Sequence, residues 1–140
     1  MKKDVVAGLG EIGLPMQKLL SRIIPVVGYD KKIELINAKK LKKFENHKTE
    51  ILHICIPFTK NFISNILVLE KKFKPEIIVV HSTIRPTTTQ KLQSKLSQPI
   101  IYSPLRGVHK RKNDKLQEHK KGESSKQNKS TFKNIKVFYF

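Results

Sequence analysis

The sequence is short of cysteine, tryptophan, acidic residues and long apolar runs, and each shortage narrows what the chain does. Cys55 is the lone cysteine, which excludes an internal disulfide and a multi-cysteine zinc site and predicts a reducing, cytoplasmic compartment. No apolar stretch approaches the ~20 residues that a membrane span needs. Met1-Lys2-Lys3 runs into a strand pattern that meets Gly8 too soon for a secretory leader. Acids are few: 11 Asp and Glu stand against 29 Lys and Arg, for a net charge of +18. Clustered cations bind polyphosphates by releasing counterions, but here the excess is spread along the chain and is Lys-rich throughout, the pattern of a solvated surface. Nucleic acid is therefore a disfavoured partner. The histidines, His47, His53, His81, His109 and His119, show no metal-ligand spacing. His81 alternates with Ile and Val and reads as a core or rim residue, and Cys55 as a small core residue.

What is present is a series of short apolar segments. A chain of 140 residues holds one domain with a real core, and Val, Ile and Leu crowd the part before residue 105. "DVVAGL", residues 4–9, reads as a buried strand closed by glycine. Leu14, Met16, Leu19, Leu20, Ile23 and Ile24 predict a helix from Gly13, with Gln17, Lys18, Ser21 and Arg22 on its outer face and Pro15 in its first turn. "PVVGYD", residues 25–30, is a second strand. Ile33, Ile36, Leu41 and Phe44 predict one amphipathic helix over 33–46. "EILHICIPF", residues 50–58, is a third strand that Pro57 stops. A helix over 60–73, a strand over 77–82, a short helix through Leu92 and Leu96 and the strand "PIIYSP" follow. This alternation predicts an α/β fold, a doubly wound, Rossmann-like parallel sheet of about five strands in the order 2-1-3-4-5. The ligand of such a sheet lies outside the carboxyl ends of the strands where the order reverses, here between the first and third.

Gly8, Gly10 and Gly13 form G-x-G-x-x-G directly after the first strand and at the mouth of a helix. The first glycine allows the tight turn, the second lets backbone approach a pyrophosphate, and the third lets helix pack on strand. The helix start then offers unpaired N–H groups and partial positive charge. Asp30 falls at the end of the second strand, where a carboxylate accepts both hydroxyls of an adenosine ribose and repels a 2′-phosphate. NAD is thus expected ahead of NADP, a preference that Lys31 and Lys32 weaken.

With "GLGEIGLPMQKLL", "VVGYD", "ICIPF", "HSTIRPTTTQKL" and "YSPLRGVH", the chain resembles the NAD-binding domain of UDP-glucose and GDP-mannose 6-dehydrogenases, and "GLGEIGLPM" is also similar to the start of 3-hydroxyisobutyrate dehydrogenases, in the superfamily of 6-phosphogluconate dehydrogenase. The likeness covers residues 4 to about 109. It implies a dinucleotide partner, with Gly8, Gly10, Glu11, Ile12 and Gly13 around the pyrophosphate and Asp30 on the ribose. It also implies Pro57 on the nicotinamide side, and Ser82 and Thr83 near cofactor and substrate. Ser103-Pro104-Leu105-Arg106 departs from the family, whose members carry an acid after that proline. The family's second domain, which supplies a catalytic cysteine and lysine, has no counterpart here. The resemblance therefore implies a fragment that binds cofactor without turnover.

Residues 1–109 are thus read as the NAD-binding domain and 110–140 as a basic, low-complexity tail. "KRKNDKLQEHKKGESSKQNKSTFKNIK" is too poor in apolar groups to offset its ordering entropy, so disorder is expected. The abrupt end of the likeness suggests truncation or a frame disruption near that point. The competing reading is a non-enzymatic module, either a nucleotide sensor or a basic nucleic-acid binder.

Overall fold

The computed structural model describes residues 1–105; the expectations for the tail and for His109 lie outside the described residues. The elements follow in the order β1 (Lys2–Ala7), α1 (Gly13–Leu20), β2 (Val26–Tyr29), a 3-10 turn (Ile33–Leu35), α2 (Ala38–Lys43), β3 (Lys48–Ile54), α3 (Phe62–Phe73), β4 (Ile77–Val80), α4 (Thr88–Lys95) and β5 (Ile100–Tyr102). The five strands form one sheet in the order β2-β1-β3-β4-β5, and every pairing is parallel. This is the order that the sequence predicts.

Strand periodicity divides the sheet residues between two faces. Val5, Ala7, Leu52, Ile54, Ile78 and Val80 pack with Phe62, Ile66 and Leu69 of α3 and Leu92 of α4 in one buried cluster. Each Val, Leu, Ile or Phe side chain among them contributes roughly 1.5–3 kcal/mol by leaving water. The alternate positions Val6, His53 and Val79 are register partners across β1, β3 and β4 on the other face. Right-handed crossovers send α1 to one face and the later helices to the opposite one, because the chain runs from β1 toward β2 and then back past β1 to β3.

Three local expectations are corrected. Gln17, assigned to the outer face of α1, is buried, while Ile23 is 79% exposed. The helix stops at Leu20, so the 3.6-residue spacing no longer governs Ile23, and Gln17 fills space above Gly28: a Cβ there would lie 2.9 Å from Gln17 Oε1 and 2.8 Å from Leu9 Cδ2. The single helix over 33–46 is broken, because Ile36 and Asn37 are extended and Asn37 Oδ1 accepts the Lys40 N–H at 3.1 Å, capping a new helix. The buried Lys3 Nζ donates to the Phe44 and His47 carbonyls at 2.8 and 2.6 Å and holds the end of α2 against β1; burial lowers the pKa of this ammonium. The third strand ends at Ile54 and the fourth at Val80, so Pro57, His81 and Ser82 lie just beyond strand ends. Among the described residues no helix is long and apolar enough to cross a membrane, and no group of three metal-ligating side chains occurs.

Candidate functional site

The turn between β1 and α1 uses its three glycines for three reasons. Gly8 has φ +92°, a left-handed backbone, and a Cβ on it would lie 2.8 Å from the Cys55 carbonyl carbon and oxygen. A Cβ on Gly13 would come within 1.6 Å of the Gly8 carbonyl oxygen, so α1 reaches its place only without one. The fold itself requires glycine at these two positions. Gly10 differs: a Cβ there would meet nothing within 4 Å among the described residues, whose packing leaves that side of the turn open.

The Leu14 N–H returns to the Gly10 carbonyl at 3.2 Å, closing the first turn of α1. The backbone N–H groups of Gly10, Ile12 and Gly13 have no hydrogen-bond partner among the described residues. They sit at the positive end of α1, an arrangement suited to an anion. Glu11 is exposed beside them.

Asp30 leaves β2 one residue past its end and turns back to the glycine turn. Its Oδ2 accepts the Leu9 N–H at 2.7 Å and its Oδ1 accepts the Lys32 N–H at 2.9 Å. Each oxygen keeps a lone pair for a further donor. A cavity of about 360 Å³ opens alongside, lined among others by Gly8, Tyr29, Asp30, Pro57, Asn65 and Lys72. That volume lies within the ordinary range of small-molecule pockets. Lys31 also lines it and donates from Nζ to Asn65 Oδ1 at 3.4 Å. The cavity thus lies at the carboxyl ends of β1, β2 and β3, where the strand order reverses.

Pro57 lines this cavity together with Asp30, at the exit of β3. β3 neighbours β1, and the chain leaving it heads for α3, which walls the cavity. Ser82 is buried, and its hydroxyl donates to the Ile56 carbonyl at 2.5 Å. Its proton is committed to holding the exit of β3, so Ser82 positions the Ile56–Pro57 backbone. Thr83 next to it is exposed. Burial pushes the Cys55 thiol up to about 12, which leaves it protonated and unreactive near neutral pH.

One polar constellation has no counterpart in the sequence reading. Asp4, His53, His81 and Ser103 come from β1, β3 and the residues just past β4 and β5, and all are buried. His81 Nδ1 lies 2.9 Å from the Ser103 carbonyl, His81 Nε2 lies 2.9 Å from His53 Nδ1, and His53 Nε2 lies 3.2 Å from Asp4 Oδ2. The carbonyl only accepts, so His81 Nδ1 carries a proton. Neutral His81 then accepts at Nε2 and His53 donates from Nδ1, so the remaining contact needs a proton between His53 Nε2 and Asp4 Oδ2. Burial, then the neighbouring His53, lowers His81 to about 4. In sequence the only trace of this constellation is parity: each histidine falls on the face opposite the Leu52, Ile54, Ile78 and Val80 cluster, but the register that aligns them is non-local.

No family model, curated protein or solved structure matches the chain.

Proposed function

We propose that the chain binds a dinucleotide, NAD ahead of NADP, and is the cofactor domain of an oxidoreductase resembling the nucleotide-sugar dehydrogenases. The observation that carries the reading is the cradle at Gly10: no described atom where a Cβ would stand, the Gly10, Ile12 and Gly13 amides without a hydrogen-bond partner among the described residues, and a carboxylate latched to the same turn at 2.7 Å. An anionic diphosphate fits the amides and the positive helix end. A ribose fits the remaining lone pairs of Asp30, and the apolar and amide wall of Pro57, Val68 and Asn65 suits an adenine face. Bound nicotinamide supplies a hydride acceptor; the chain's own residues bind and orient it. The dehydrogenase assignment and its substrate class rest on the sequence resemblance alone.

Calorimetric titration with NAD and NADP tests the reading. Asp30→Asn keeps an acceptor for the Leu9 N–H but removes the charge that meets the ribose hydroxyls. It is expected to weaken NAD by roughly tenfold or more, the scale of a hydrogen bond to a charged group. NADP is expected to be affected less, because Lys31 and Lys72 line the same cavity. An unchanged NAD to NADP ratio would remove Asp30 from the ribose site. Tight, salt-sensitive binding of single-stranded nucleic acid with no NAD heat would favour the competing module instead.

A further inference from the structure

We propose that a second cavity, at the carboxyl ends of β3 and β4, binds a phosphorylated small molecule with a flat apolar body; the assignment does not depend on the dinucleotide reading. This cavity has a volume of about 350 Å³ and is lined by Phe58, Phe62, Lys60, Arg85, Thr88 and Lys91, together with Thr59, Ile63 and Thr87. It sits between the start of α3 and the start of α4.

Three features give it a ligand chemistry. First, Lys60, Arg85 and Lys91 bring three cations to one small space whose lining holds no acid. The chain is basic overall, so lone lysines carry no information, but a concave group of three cations with no ion pair to any described residue concentrates potential on an anion. Second, Thr88 is 4% exposed and its hydroxyl makes no hydrogen bond to any described residue. Among the described buried side-chain atoms, only Gln98 Oε1 is sealed off without a partner, so the Thr88 hydroxyl keeps accessible surface, and Thr88 lines this cavity. A largely buried hydroxyl is costly to leave unsatisfied, and an oxyanion in the cavity gives it an acceptor. The positive end of α4 adds the same sign of field. Third, the opposite wall is aromatic: the Phe58 and Phe62 rings lie 5.2 Å apart at 60°, and Phe58 is 37% exposed. A cationic floor beside an exposed ring matches a phosphate monoester of a flat alcohol better than a free inorganic ion.

The test is calorimetric titration of the full chain with phenyl phosphate and with inorganic phosphate, at ionic strength fixed with sodium chloride. Phenyl phosphate is expected to bind saturably and more tightly than inorganic phosphate. The double variant Arg85→Ala/Lys91→Ala is expected to weaken it by at least about tenfold, and Thr88→Val by roughly threefold or more, on the scale of lost charge-assisted and neutral hydrogen bonds. A control, Lys18→Ala/Lys39→Ala, removes the same charge from exposed positions on α1 and α2 and is expected to change nothing. NAD titrations of Arg85→Ala/Lys91→Ala are expected to match the parent. Equal weakening in the two double variants, or no saturable phenyl phosphate binding to the parent, overturns the assignment. NAD weakened in step with phenyl phosphate also overturns it, by making this space part of the first crevice.

Discussion

Gly10→Ala is expected to abolish most dinucleotide binding while leaving the fold intact, and Gly13→Ala, three residues on, to unfold the turn itself. The difference follows from what a methyl group meets. At Gly13 it would stand 1.6 Å from the Gly8 carbonyl oxygen, with the Gly8 carbonyl carbon at 2.8 Å. Neither atom belongs to a side chain that can swing away, so α1 must lift off β1. Overlap of that kind belongs with the rare substitutions that cost more than about 4 kcal/mol, a large part of the ~5–15 kcal/mol that holds a domain together. At Gly10 the same methyl meets no atom of the described residues within 4 Å. Stability is expected to hold within about 0.5 kcal/mol or to rise slightly, since alanine restricts the unfolded chain. Yet the methyl occupies the side of the turn from which a pyrophosphate approaches the amides, and NAD affinity is expected to fall by at least about tenfold. Thermal unfolding and calorimetry on the two variants read the two effects separately. Gly10→Ala binding NAD as the parent does would take the diphosphate away from this turn.

Stability is expected to fall by about 3 kcal/mol between pH 6.5 and pH 4. His81 is neutral within the fold, held near 4 by burial and by His53, whereas in the unfolded chain it takes its proton near 6.5. Above 6.5 neither state binds that proton and the contribution is fully present. Between the two values the unfolded state binds it and the folded state does not, so stability drops as pH falls and levels off below about 4. A difference of about 2.5 units at ~1.36 kcal/mol per unit gives the stated size. For a domain of this length that is roughly 10–20 °C in melting temperature. Melting curves at pH 7 and pH 4.5 check the drop, and His81→Gln, which has no titrating ring, is expected to flatten it. An equal slope in both proteins would assign the loss to other groups.

Much of the architecture was legible because its signals are local. The β-α alternation and the glycine turn rest on short contiguous segments, the strand order follows from that alternation by the rules of doubly wound sheets, and Asp30 is marked by its place at the end of the second strand. The errors share a cause. Residues 33–46 carry an acceptable helical stripe, but Asn37 offers its side chain to the Lys40 N–H and restarts the helix, a competition that periodicity does not register. Gln17 looked solvated because Gly28, the residue that makes room for it, lies in the next strand. The buried Asp4–His53–His81 chain needed the register of three strands before its members met.

The interior position of β1, between β2 and β3, also bears on how the molecule is made. Among the described strands β1 is synthesised before the others and ends up interior to the sheet, and its two edges are closed at different times. β2 arrives after one short helix, but β3 is not complete until residue 54 has been synthesised. Until then Val5 and Val6 present unpaired backbone along one side of a two-stranded ribbon, a template for any neighbouring nascent chain. Yield during expression should therefore depend on elongation rate and on temperature, and slower accumulation should favour recovery of folded material over aggregate.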